Sequence, residues 1–553
     1  MTRARRLPIL VLIPALVATA WWVQREHDTT PAPAAAVVGS PVPVAAGPDA
    51  PGSTWYCAAG SATGVTSGEG AGVAEQSIII SSASDRDLTV NVAVVPEQGD
   101  YASKSYSLTA HGRQVVRASD IGRATWASVL VEASGGEITV AHQLTGPAGR
   151  SVDTCASAPA DSWYFPSGTT RAGTTYRMAL FNPFPGDATV DMTFDTEDGT
   201  RTPQQLQGIV VPGGRMLMVN VGAVVTLRDR VAASVTVRSG RVIAEQLQTS
   251  EGRNGTEQGL TAVLGAPIPS SAWIFPVSAP EGSSALESIA VLNPGDADTV
   301  VEIQVQLDDP ARNGSVEPFE LRVPAHRSAV VSLSGDGRLP ASVGRWIIAH
   351  SVDGAAVVVS RSVGASRPAT VTPTSVAGWA ITMGTPVEAT HWIGTVAYTT
   401  DATAASLVIA RPNASSDAIV TVRIHARGRV TSLSGWESVR VRAGERRVVD
   451  LARVLASNVD ATVEVVSDVP VVVGQWLVLT GPLDVSTIAA IPVLGSVRPP
   501  TDLVPPGAGV DLGGSLPDGP SVVDSSSTTS TSSTSSSSTS STSSSTSSTT
   551  TTR

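Results

Sequence analysis

The chain has 553 residues, a net charge of −11 and a pI near 5.2, so it lacks the basic face that nucleic-acid binding requires. With 15% charged residues, 4% aromatics, Gly 50 and Pro 38, it is too apolar to be wholly disordered and too interrupted for a helical bundle. At one domain per roughly 150 residues the length predicts three to four domains.

Residues 1–26 read as a membrane anchor or signal segment. Arg3, Arg5 and Arg6 precede the uncharged apolar run Leu7–Val23, and Gln24, Arg25 and Glu26 follow it. Positive charge before the run predicts an N-terminus inside and the remainder outside. Trp21 and Trp22 would suit the outer interface of an anchor spanning residues 7–23. Ala18-Thr19-Ala20 instead fits a cleavage site near Ala20, which would release the chain as a secreted protein. Residues 27–52 carry prolines at 31, 33, 41, 43, 48 and 51, a composition that favours an extended, semi-rigid stalk.

The chain has two cysteines, Cys57 and Cys155. In an exported protein the default for such a pair is a disulfide; redox or metal use is the alternative, without a CxxC motif behind it.

Four copies of one segment fill the middle. Trp55, Trp163, Trp273 and Trp392 open them at spacings of 108, 110 and 119 residues. Arg113, Arg215, Arg327 and Arg446 follow after 58, 52, 54 and 54 residues, each behind a Gly-, Pro- or Ala-containing turn. Between them lie Asn182-Pro183, Asn293-Pro294 and the inverted Arg411-Pro412-Asn413, with Ser81-Ser82 in the first copy. Landmarks in fixed order at a fixed period mean one domain type used four times.

Inside each copy the apolar period is two. Leu88, Val90, Val92 and Val94 alternate with small or polar residues, as do Val190, Met192 and Phe194; Val301, Ile303, Val305 and Leu307; and Val420, Val422 and Ile424. Such alternation predicts antiparallel sheets with one face buried and one solvated. About seven strands per copy predict an all-β fold: four tandem immunoglobulin-like antiparallel β-sandwiches after an N-terminal apolar helix. Their bounds are 53–159, 160–269, 270–388 and 389–496. Blades of a propeller would be shorter. The one helical segment is Asp450–Ser457, with Asp450 as its cap.

We read the Trp landmarks as core plugs and the Arg landmarks as caps of strand-end carbonyls or partners of a carboxylate across the turn. Gln143, Gln246, Arg361 and Gln475 recur near the end of each copy and read as an edge or interdomain hydrogen-bonding position. Residues 497–553 read as a disordered tail, since Ser525–Thr552 contain only Ser and Thr.

Catalytic and metal signatures (HExxH, GxSxG, His pairs at ligand spacing) are missing, and with Lys104 as the only lysine no Walker A loop exists. No catalytic residue, cofactor or metal site is expected. Asp195–Asp198 and Asp296–Asp298 resemble partial calcium loops but read as solvated turns. Asn254-Gly-Thr256 is a formal sequon that reads as a turn.

The anchor followed by tandem Trp…Asn-Pro…Gly-Arg copies resembles an uncharacterised family of large exported, membrane-anchored actinobacterial proteins, a domain of unknown function, over about residues 53–496. The resemblance implies an extracytoplasmic, membrane-associated protein with a link to envelope glycan assembly, and transfers no catalytic residue. The expectation is a non-catalytic, membrane-tethered rod of β-sandwiches with a structural or binding role at the cell envelope. Its partners would be cell-wall polysaccharide or another envelope protein. The alternatives are an envelope-glycan-acting enzyme or its accessory subunit, and an adhesin.

Overall fold

The computed structural model describes residues 40–503 apart from 253–256, 279–283, 310, 341–342, 368–375, 399–401, 414, 427, 456–460 and 480–484. The chain divides into two compact units, Met1–Val510 and Asp511–Arg553, and all described residues belong to the first. The apolar run 7–23, residues 27–39 of the expected stalk, the sequon at Asn254 and the Ser/Thr tail lie outside them. Among the described residues no helix is long and apolar enough to cross a membrane.

The alternating segments form antiparallel strands, as expected. The first copy has eight: β1 (Ser53–Cys57), β2 (Glu75–Ser82), β3 (Leu88–Pro96), β4 (Ala102–Leu108), β5 (Arg113–Arg117), β6 (Ala127–Ala133), β7 (Ile138–Gly146) and β8 (Gly149–Thr154). They pair as two sheets, β1-β6-β3-β4 and β5-β2-β7-β8. Both orders recur in the other three copies. In the fourth, one 19-residue strand, Ala461–Leu479, serves as both sixth and seventh strand by pairing with Ala418–Ala426 and then with Ala402–Ala410. The expected helix is a single turn, Leu451–Val454, whose cap Asp450 accepts from the Arg453 amide at 3.2 Å.

Each core closes over its opening tryptophan. Trp55, Trp163, Trp273 and Trp392 are all at most 1% exposed. Three of them bond across the core: Trp163 Nε1 donates to Val242 O at 2.9 Å, Trp273 to Val357 O at 2.8 Å and Trp392 to Val471 O at 3.0 Å. Cys57 and Cys155 are disulfide-bonded, tying β1 to the residue after β8.

The expected rod is a closed ring. Gln258–Leu264, the last strand of the second copy, lies against β8 and against Val376–Met383 of the third. That strand lies against Val485–Ala489 of the fourth, which returns to β8. The physical reason is that the sheets are apolar on their outer faces as well. Ile274, Trp346 and Ile348 of the third copy cluster with Ala410 and Val472 of the fourth, and Ile79, Ala141 and Val152 of the first join the core cluster of the fourth. Alternation in sequence shows which side chains share a face, not what covers it.

Residues at the two ends of the repeat region hold the ring shut. Ala45, assigned from sequence to the stalk, is fully buried; its amide donates to Pro492 O at 3.0 Å, and Leu494 donates to Ala45 O at 2.8 Å. Beyond the expected end of the fourth copy at 496, Val497–Arg498 pairs with Glu388 and Ala389, and Asn413 Nδ2 donates to Thr501 O at 2.7 Å. Substituting Ala45→Pro removes one amide and leaves a buried carbonyl unpaired, which should cost about 1–3 kcal/mol. Hydrogen exchange should quicken at the Leu494 amide while amides around Trp273 keep their protection.

Candidate functional site

Three of the Arg landmarks reach into the preceding copy rather than capping their own turns. Arg446 grips Asp308 of the preceding copy through Nε and Nη2, both at 2.7 Å, and donates to Pro276 O at 2.6 Å. Arg327 pairs with the nearly buried Asp195 of the second copy, whose Oδ2 also accepts from the Ser328 amide at 2.7 Å and hydroxyl at 2.6 Å. Arg215 donates to Gly99 O of the first copy. Strand register also splits the landmark in two. Arg215 and Arg327 stand opposite Asn182 and Asn293, whereas Gly112 and Glu445 hold that position in the other copies and Arg113 and Arg446 follow one residue later.

The turn before these residues requires a left-handed backbone, supplied by Gly214 and Gly444 in two copies and by His111 and His326 in the others. Those histidines pair with Asp85 at 3.0 Å and Asp296 at 2.8 Å. Both partial calcium loops are thus occupied by protein partners: Asp296 by His326, Asp298 by Arg322 at 3.0 Å, Asp195 by Arg327 and Asp198 by Arg228.

The recurrent polar position is likewise internal. Gln246 Nε2 donates to Ser167 O at 2.9 Å, and Arg361 donates to Val277 O, each pinning the loop after its own opening strand. In the first copy the register equivalent is His142 rather than Gln143, because His142 stands opposite the core residue Ile78 as Gln246 stands opposite Met178.

His142 is buried beside the disulfide, 2.7 Å from the equally buried Glu245 of the second copy. The two sulfurs are bonded to each other and leave no thiolate for a metal. Glu245 also accepts from the Ala58 and Ala59 amides at 3.0 and 2.8 Å. Burial alone would push His142 down, but the Glu245 carboxylate outweighs it and holds its pKa up. Close by, Asp153 accepts from the Leu264 amide at 2.6 Å and is the one charged residue among the described residues lining a cavity of about 60 Å³ between the four copies. Burial, then repulsion by Glu245, raise its pKa to about 7.

The junction between the fourth and first copies holds a carboxylate among imidazoles. Glu464 accepts from His391 at 2.7 Å and His425 at 3.1 Å, with Arg423 at 3.3 Å. His111 of the first copy meets the His425 ring edge-on at 5.2 Å. Burial would raise Glu464, but the two imidazoles hold it well below the usual carboxylate range.

A polar cleft in the first copy is the candidate binding site. Its floor is two cross-strand rows on the outer face of one sheet: Arg117, Ser77 and Gln143, and beside them Glu75, Thr145 and Arg150. Gly64, Asp120 and Arg123 wall it, around a volume of about 530 Å³. Glu75 is spent on the wall: Oε1 accepts from the Thr63 amide at 2.7 Å and hydroxyl at 2.8 Å, and Oε2 from the Gly64 amide at 2.8 Å. Gly64, at φ +80°, lies where a Cβ would strike the Arg123 guanidinium, which donates to Thr63 O.

No sibling has this cleft chemistry. By register, Arg150 corresponds to Leu260, Trp379 and Val485, and Arg117 to Asn220, Ser332 and Asp450. Sequence reading missed the cleft because neither arginine belongs to a motif. The signal available was negative: both break a repeat pattern that becomes visible only once the strands are in register.

A family model described as a family of unknown function, DUF5719, matches residues 132–377 and again 246–549. The chain belongs to this family. The starts of the two matches differ by about one copy, as a tandem array requires. No curated protein matches. Among solved structures, Thermotoga maritima 1070 is 21% identical, covering 21% of this chain and 94% of that one, with a TM-score of 0.17. A tetra-tandem repeat from the extending region of a large adhesion protein is 13% identical over 73% of this chain and 91% of that one, TM-score 0.09. An E. coli alpha-2-macroglobulin is 10% identical over 76% and 29%, TM-score 0.11. At these scores the three bear on neither fold nor function.

Two pH dependences follow. The raised Asp153 contributes stability that is full below pH ~4 and lost as pH rises towards 7, so Asp153→Asn should compare more favourably with wild type at pH 7.5 than at pH 4.5 in urea titrations. The depressed Glu464 contributes stability present above pH ~4.3 and lost on acidification, so Glu464→Gln should destabilise at pH 7 and remove part of the acid-induced loss.

Proposed function

We propose that this protein is a non-catalytic, membrane-tethered binding module on the outer side of the cytoplasmic membrane. Its ring of four sandwiches engages a cell-wall polysaccharide or another envelope protein through the first copy. The observation that carries this reading is where the polar residues go. Those recurring in several copies are spent on cores and junctions, while the cleft of Arg117, Arg123 and Arg150 belongs to one copy alone. Tethering and outward orientation are supported by the charge pattern around residues 7–23.

A glycan-cleaving enzyme needs two carboxylates free to act as acid and as base or nucleophile. The cleft holds Glu75 and Asp120, but both oxygens of Glu75 are already committed to the wall. An adhesin using the last copy would expose aromatic surface there. The large exposed aromatics among the described residues are instead Tyr101 and Phe184, in the first and second copies.

Cell fractionation with wall-polymer pull-down tests the reading. The full chain should sediment with membranes and retain wall polymer without releasing fragments from it. Recovery in the cytosol, or liberation of oligosaccharide, would refute it.

A further inference from the structure

We infer that the cleft of the first copy is an oxyanion site that takes a phosphate or carboxylate group carried on a sugar-sized ligand. This rests on the binding role proposed above and adds its chemical class. Three observations converge. The chain as a whole carries 48 acidic against 37 basic residues, yet three of the five charged cleft residues are arginines. Of the two opposing carboxylates, Glu75 has its oxygens turned to two amides and a hydroxyl of the wall. Arg117 and Arg150 also sit where the siblings carry apolar, neutral or acidic residues, so the shared repeat does not call for a cation at either position.

The geometry suits a planar or tetrahedral anion. Arg117 and Arg150 come from the two outer strands, β5 and β8, with Ser77, Gln143 and Thr145 between them on β2 and β7. Arg117 makes no ion pair among the described residues. Arg123 reaches in from the wall, its position fixed by its bond to Thr63 O. A guanidinium presents forked donors that match two oxygens of one anion, while the hydroxyls and the Gln143 amide can serve sugar hydroxyls. A clamp of this kind at the surface weakens as salt rises.

The test is calorimetric titration of the full chain, solubilised in detergent, with inorganic phosphate, glucose 6-phosphate, glucuronate and glucose as probes. Glucose 6-phosphate or glucuronate should bind and glucose should not; whichever charged sugar binds tighter identifies the anion, and comparison with inorganic phosphate shows what the sugar adds. Arg117→Ser and Arg150→Leu install residues found at the same positions in the third and second copies, and each should weaken binding about tenfold or more, Arg117→Ser with an unchanged unfolding midpoint. Raising the salt tenfold should weaken it further. Absence of binding by either charged sugar, equal binding of glucose, or full affinity in a folded Arg117→Ser variant would each overturn the inference. Because the probes are small, their failure would leave wall-polymer retention standing, and loss of retention would leave the titration standing.

Discussion

Sheets that are apolar on both faces govern this structure. A sandwich buries the inner faces of its two sheets by itself, but an outer face carrying Ile274, Trp346 and Ile348 must be covered by something else. Here the next copy covers it, with Ala410 and Val472 opposite. Contacts of this head-to-tail kind either close on themselves or propagate as filaments. Four copies suffice for closure, since the last strands of all four meet in a cycle. The segment around Ala45 completes the set: it bonds to Pro492 and Leu494 at the closing junction.

Closure explains why the copies agree in their cores and differ at their edges. Core positions see the same neighbours in every copy, whereas each junction joins two different surfaces. Three junctions use an arginine, answered by Gly99 O, Asp195 or Asp308. At the fourth, the position of Asp195 is held by His425, and an imidazole rather than a carboxylate faces the first copy. A pair such as Arg327 and Asp195 loses hydration when it is covered, so it contributes register between copies more than net stability.

This division also marks what could be read from the sequence. Period-two alternation, the tryptophan spacing and the cysteine pair are local or pairwise signals, and they were enough to give antiparallel sandwiches of about seven strands, one short of the eight in the first copy, with buried tryptophans and one disulfide. The reach of Arg446 to Asp308 spans 138 residues and depends on how copies stack, which no alternation pattern encodes. The offset of Arg113 and Arg446 from Arg215 and Arg327, and the place of His142 rather than Gln143, are one-residue shifts. In a strand such a shift moves a side chain to the other face, and only pairing with Ile78 or Asn182 reveals it. The cleft was hidden for the same reason.

The first copy shows why divergence and reinforcement occur together. Trp55 Nε1 has no hydrogen-bond partner among the described residues, where three sibling indoles donate across their cores. In the second and third copies Asn182 and Asn293 tie the turn to the neighbouring strand through Val211 O and Val323 O; in the first, Ser82 keeps only the short acceptor bond to the Ser84 amide at 3.2 Å. Its outer face gives up an apolar seal for Arg150. A copy that has lost these contacts needs another constraint. The disulfide closes a loop of 98 residues, long enough for a chain-entropy effect of roughly 4 to 5 kcal/mol. That is the order of several lost hydrogen bonds together. The covalent link therefore stands in a copy that lacks bonds the second and third copies keep, while its outer face carries Arg117 and Arg150.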